Sequence, residues 1–207
     1  FALPILDGDS IIHVYDKFES SSYVMITLDV LNKYGIKIEY THEKKYWRFK
    51  IHGNQSYRFT SILSEGDWSN AAFLLALGAL GKTPLRIKNL PLPSKQGDIK
   101  VLDLLEDFGI TVNCYTDIVD NCSGMVDVFP CRKLTAIPNV DASKSPDLVP
   151  IIALIASIAK GTTVINNAER LRYKESDRLA SICSVLKALG ANITEMEDRL
   201  IIVGTEK

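Results

Sequence analysis

Paired cysteines are the first thing missing. The chain of 207 residues has four cysteines, Cys114, Cys122, Cys131 and Cys183, and none stands at CxxC spacing. Its three histidines, His13, His42 and His52, do not join them at zinc-ligand spacing. The expectation is therefore free thiols in a reducing compartment, the cytoplasm. An excess of one charge is also missing: 24 Lys and Arg face 25 Asp and Glu, for a net charge of −1. With no global field, the chain is not expected to bind nucleic acid or an anionic membrane. Any anion binding has to be local. Long hydrophobic runs are absent too. The longest, LVPIIALIASIA from Leu148 to Ala159, falls far short of the roughly 20 residues a membrane span needs. No secretory signal opens the chain, which begins FALPILDGDS without a Met and reads as a piece of a longer protein.

What is present is an ordinary globular composition, 46% hydrophobic and 24% charged, arranged as a repeat. LNKYGIKI, LEDFGITV and LKALGANI share one form: the end of an apolar-periodic helix, a glycine, then an alternating strand. Gly35, Gly109 and Gly190 suit the left-handed residue after a helix. They are spaced by 74 and then 81 residues, and each is followed by a second strand: YWRFKIHG, MVDVFP and RLIIVG. Two further helices, SNAAFLLALGALG and LVPIIALIASIAKG, are apolar nearly all round, which implies burial on all sides. The strands PLRIKNL and TTVINNA follow them, and then two matching loops, LPLPSKQGD and ERLRYKESD. The hairpins require antiparallel pairs, so the fold class is α+β and not a doubly wound sheet. The pattern breaks at FTSILSEGDWS. We expect residues 1–58 to be the tail of one domain and residues 59–207 to hold two units of a second.

Four stretches are candidates for chemistry. In RLRYKESDRL, the cations Arg170, Arg172, Lys174 and Arg178 crowd the start of a helix, where the dipole disfavours them by roughly 0.3–1 kcal/mol. Lys174 and Arg178 are four apart and are expected to point the same way on one turn. The crowding makes sense if an anion sits there, since free N–H groups and the dipole favour it as well. Arg178 can grip a phosphate or carboxylate through two parallel hydrogen bonds, and Lys174 offers a movable proton. Without an anion, the stretch is a solvated charged helix start. In KSPDLVP, Asp147 is either a capping acid or a base at the lip of an apolar helix. In FESSSYV, Ser20 to Ser22 either cap a helix or grip a phosphate beside Tyr23. In SEGDWSN, Asp67 or Ser69 is the cap, and Glu65 and Asp67 sit at the supposed seam. SKQGD reads as the structural version of the RYKESD loop.

EGDWSNAAFLLALGAL, KQGDIKVLDLLEDFGITV, SPDLVPIIALIASIAKGTT and RLRYKESDRLASICSVLKALGA, in this order, resemble the 5-enolpyruvylshikimate-3-phosphate synthase family, over essentially the whole chain. The resemblance implies two domains built from six βαβαββ units. It also implies transfer of the enolpyruvyl group of phosphoenolpyruvate to the 5-hydroxyl of shikimate 3-phosphate, in aromatic amino-acid biosynthesis, with no cofactor and no metal. Position by position, Asp147 matches the acid that takes the hydroxyl proton. Lys174 matches a lysine that contacts shikimate 3-phosphate and protonates the methylene carbon of phosphoenolpyruvate. Glu175 matches a neighbouring acid implicated in the same transfers, and Arg178 an arginine that binds phosphoenolpyruvate. Ser20 and Tyr23 match contacts to the phosphate and ring of shikimate 3-phosphate. Arg170 stands where some members have Asn. The family's N-terminal lysine, its Ser-Ser-Gln stretch and its C-terminal Arg and Lys are absent. The expectation is thus a truncated piece, inactive or nearly so, of a cytoplasmic and monomeric parent. Three other classes compete: a UDP-N-acetylglucosamine enolpyruvyl transferase, disfavoured by KESDR; a non-catalytic anion-binding module; and a relative of RNA 3′-phosphate cyclases, disfavoured by the charge balance.

Overall fold

The computed structural model describes residues 1–16, 18–62, 64–116 and 123–205. Cys122 lies outside them; Cys114, Cys131 and Cys183 are free thiols. The chain divides into two compact units, Phe1–Ser64 and Glu65–Lys207. The first contains β1 (Ser10–Tyr15), α1 (Ser21–Lys33) and the hairpin β2 (Ile38–His42) and β3 (Tyr46–Ile51). The second begins with α2 (Trp68–Leu80), β4 (Leu85–Pro91), α3 (Val101–Asp107) and the hairpin β5 (Val112–Thr116) and β6 (Ser123–Val128). It continues with β7 (Asn139–Asp141), α4 (Val149–Ile158), β8 (Gly161–Asn166), α5 (Arg178–Ala188) and the hairpin β9 (Asn192–Glu195) and β10 (Leu200–Gly204).

The repeat is one topology used three times. The sheets run β1-β3-β2, β4-β6-β5 and β7-β8-β10-β9. In each, the strand before a helix pairs antiparallel with the second strand of the hairpin after it. β7 adds a parallel pair with β8. The three helices end alike: Gly35, Gly109 and Gly190 have φ of 83°, 87° and 88°. Around them the next amide reaches back, Ile36 to Leu31, Ile110 to Leu105 and Ala191 to Leu186, each at 2.9 Å. A left-handed residue without a Cβ penalty satisfies the last helical carbonyls and turns the chain into the hairpin. A second feature accompanies it: Asp16 and Asn167, both left-handed, directly follow β1 and β8, while the left-handed Asn89 lies inside β4 at a shift of register. Asn and Asp tolerate this region best among residues with side chains.

The second unit has one continuous core in which α2 and α4 pack together and against the sheets. α4 meets the expectation of burial, with Val149, Ile151, Ile152, Ala153, Ile155 and Ala156 all buried. α2 does not: Phe73, Leu74 and Leu77 are 52%, 50% and 61% exposed. An all-apolar helix records only that every face is apolar, and here one face is left uncovered by the other described elements of its own unit. The first unit is thinner. Leu31, Ile36, Phe49 and Ile51 are buried. Beside them is a cavity of about 260 Å³ lined by Phe1, Ile12, Val14, Phe18, Leu28 and Phe49 among others, too apolar to attract an anion. No helix among the described residues is long and apolar enough to cross a membrane.

Candidate functional site

Asp147 sits in a short 3-10 turn, Pro146–Leu148, that leads directly into α4. Pro146 fits the first position of the turn because its missing N–H has no partner there to lose. Ser145, at the N-cap, makes no side-chain capping bond. Arg178 is the first residue of α5, and Asp177 caps that helix by accepting the N–H of Ala180 at 3.0 Å. Packing of α4 against α5 brings these starts together. Arg178 Nη1 donates to Asp147 Oδ1 at 2.5 Å, and its Nη2 and Nε donate to Glu175 Oε1 at 2.6 and 3.2 Å. Lys174 Nζ lies 3.9 Å from the same Asp147 oxygen.

Lys174 and Arg178 do face one place, though not through a shared helical turn. Lys174 follows a 3-10 turn, Glu169–Tyr173, with extended backbone and precedes the helix. It is the path of the loop that points it at Asp147. Arg172 holds that path. It donates to Asp177 and Glu195 at 2.8 and 2.7 Å and to the carbonyls of Glu197 and Met196 at 2.8 and 2.6 Å. It ties the loop to the β9–β10 turn and, of the four cations, is a structural clamp. Arg172→Met is expected to lower stability by about 2–3 kcal/mol, because two carboxylates and two carbonyls lose donors. Urea unfolding measures this, and an unmoved midpoint would refute the clamp.

The electrostatics follow from these bonds. The hydrogen bond from Arg178 holds the Glu175 carboxyl below its ordinary range. The Ala180 amide, then Arg172, does the same for Asp177. The site is therefore a cation pair neutralised by carboxylates, Asp147 and Glu175, at the starts of two helices. Glu175 is 70% exposed, so an incoming anion can displace it from Arg178 at little cost.

The remaining sequence candidates lie elsewhere or act differently. Ser20 and Tyr23 are in the first unit. Ser20 stands at the N-cap of α1 with left-handed backbone, φ 51°, and its side chain makes no capping bond to the helix. The capping expectation for Ser20 is corrected on that ground: the left-handed backbone replaces the extended geometry from which a side chain reaches the second or third amide. Asp67, not Ser69, caps α2, accepting the Ser69 N–H at 2.9 Å. Glu65 accepts from Gln96 Nε2 at 2.8 Å. One group escaped the sequence reading. Asp98, in the SKQGD loop, is 3% exposed, accepts the Ser69 hydroxyl, and lies within electrostatic reach of Asp147 and Lys174. Its signal was the apolar run on both sides of a loop judged by its cations alone.

Comparison with known proteins adds a family to this geometry. The family model described as EPSP synthase (3-phosphoshikimate 1-carboxyvinyltransferase) matches residues 1–207. Curated relatives named 3-phosphoshikimate 1-carboxyvinyltransferase include those of Clostridium kluyveri, 43% identical over 206 residues, and Methanococcus maripaludis, 39% identical over 205 residues. The chain is covered to 100% and 99% in these matches but spans only 45% and 46% of the relatives' own length. Among solved structures, an EPSP synthase from Acinetobacter baumannii aligns over 97% of this chain and 44% of its own, with a TM-score of 0.72 at 23% identity. The enolpyruvyl transferase NikO from Streptomyces tendae aligns over 97% and 44%, with a TM-score of 0.70 at 22% identity. At these identities the structural likeness establishes the shared α+β fold.

Proposed function

The chain belongs to the EPSP synthase family, and from that premise we propose that the whole protein transfers the enolpyruvyl group of phosphoenolpyruvate to the 5-hydroxyl of shikimate 3-phosphate. The single observation behind the residue roles is that Lys174 and Arg178 both converge on Asp147, at 3.9 and 2.5 Å. A base and an acid must stand side by side for this chemistry. The hydroxyl oxygen adds to C2 of phosphoenolpyruvate while Asp147 accepts its proton and Lys174 delivers one to the methylene carbon. The tetrahedral intermediate then loses a proton from that carbon and expels phosphate, which restores the double bond. Glu175 joins these transfers and yields Arg178 to the phosphoenolpyruvate anion, which the guanidinium grips with two parallel bonds. Ser20 and Tyr23 are proposed contacts of shikimate 3-phosphate on the sequence match alone. No cofactor or metal enters. The reading also proposes a cytoplasmic, monomeric enzyme.

Titration of this chain with shikimate 3-phosphate, followed by backbone and side-chain NMR with phosphate release monitored in parallel, tests the proposal. The expected result is perturbation at Asp147, Lys174 and Arg178 with little or no turnover. A response at those residues to UDP-N-acetylglucosamine instead, or none to either ligand, would overturn it.

A further inference from the structure

We propose that Asp98 is a positioning residue of this same site, a buried carboxyl that shares the charge balance of Asp147 and Lys174. The inference rests on the reading of the site given above. Asp98 is the one buried carboxyl among the described residues. A solitary acid away from water is costly, and the bond it accepts from Ser69 could be accepted as well by a neutral Asn. Structure alone therefore does not account for an acid there.

Helix α2 links it to the turn of Asp147. Asp98 lies in a 3-10 turn, Gly97–Lys100, ahead of α3. The first turn of α2 supplies Ser69, and α2 packs against both this turn and the turn that carries Asp147. Gln96 fastens the loop, accepting the Trp68 N–H at 2.8 Å and donating to the Gly66 carbonyl at 2.9 Å. The charged groups that act on Asp98 are Asp147 and Asp67, which oppose its ionisation, and Lys174, which favours it; Lys100 stands on its own turn. Burial is the largest influence and pushes the carboxyl above its ordinary range.

The repeat supports the same conclusion. Asp98 occupies in SKQGD the place of Asp177 in YKESD. Asp177 caps α5 and pairs with Arg172. Asp98 caps no helix; it accepts the Ser69 hydroxyl instead. An ionised Asp98 is relieved of repulsion when Asp147 takes a proton, and it is attracted by the Lys174 cation. In the proposed reaction those are the states before proton delivery and after proton capture.

The experiment follows the Asp98 side-chain carboxyl by carbon-13 NMR across pH, in this chain and in Asp147→Asn, Lys174→Met and Ser69→Ala variants. Asp147→Asn is expected to lower the Asp98 midpoint and Lys174→Met to raise it, each by about 0.5 pH unit or more, as charges several ångströms apart in a partly buried site do. A purely structural Asp98 would respond to Ser69→Ala and to neither of the others, and that result overturns the proposal. Amide spectra check that each variant folds, and either charge variant alone is decisive. Shikimate 3-phosphate binding by the unaltered chain is scored separately. Intact binding with an indifferent Asp98 removes this inference and leaves the function. A responsive Asp98 without ligand binding removes the function and leaves only the charge coupling of Asp98 to its neighbours.

Discussion

Asp147→Asn is expected to cut enolpyruvyl transfer by about 10²–10⁴-fold, the usual contribution of a positioned proton acceptor. The measurement is phosphate release by a full-length protein carrying this sequence. The geometry predicts a particular kinetic form. Asp147 neutralises Arg178 at 2.5 Å and Lys174 at 3.9 Å, so its loss frees both cations to hold the substrate anions. The turnover number should therefore fall while the KM for phosphoenolpyruvate stays level or drops. Had Asp147 served only to hold Arg178 in place, the variant would bind phosphoenolpyruvate worse and retain most of its turnover, and that pattern would exclude the role of base.

Trp68→Ala is expected to destabilise the second unit by about 3–5 kcal/mol, the range for removing a fully buried large aromatic side chain. Trp68 is 0% exposed, and its indole N–H donates to the Pro91 carbonyl at 3.2 Å. Its backbone N–H donates to Gln96, its neighbour Asp67 caps α2, and its other neighbour Ser69 donates to Asp98. The side chain thus seats both the helix start and the loop that borders the site. Trp68→Phe should recover most of the packing yet cost about 1–3 kcal/mol, because the Pro91 carbonyl is left buried without its donor. The two tryptophans fall one to each unit, Trp47 in the first and Trp68 in the second. Circular dichroism in urea reads the loss for the whole chain, and Trp47 fluorescence reports whether the first unit follows. A midpoint for Trp68→Ala equal to that of the parent chain would refute the assignment.

Much of this was legible before any coordinates. The glycines at 35, 109 and 190 marked the helix ends because a left-handed residue there has a strong chemical preference. The alternation after each one marked the hairpins, and the cation cluster marked the loop that meets Asp147. Other features were hidden for identifiable reasons. Apolar residues on α2 signal a preference for burial but not whether Phe73 and Leu77 find cover. The spacing of Lys174 and Arg178 suggested a helical turn, whereas the chain achieves the same juxtaposition with a loop that Arg172 ties down. The local stretch allows Asp147 as a cap or a base, and it does not display the two cations that the structure brings to within 3.9 Å of it. A loop with one lysine gives no sign of Asp98, whose burial depends on packing against α2 that no local stretch displays.

The left-handed Asp16 and Asn167 close β1 and β8, the left-handed Asn89 shifts the register near the end of β4, and Gly35, Gly109 and Gly190 turn the chain at a second corner after each following helix. Between these two corners the segments differ in length and content, from the serine-bearing FESSS to the lysine- and arginine-bearing RLRYKESD. Such a frame works as a socket. The insert between the corners can change, serine-rich in one unit, cation-rich in another, holding a buried acid in the third, while the sheet beneath keeps its topology. Within one copied scaffold, new reactivity then arises by altering inserts, without the need to invent a new fold.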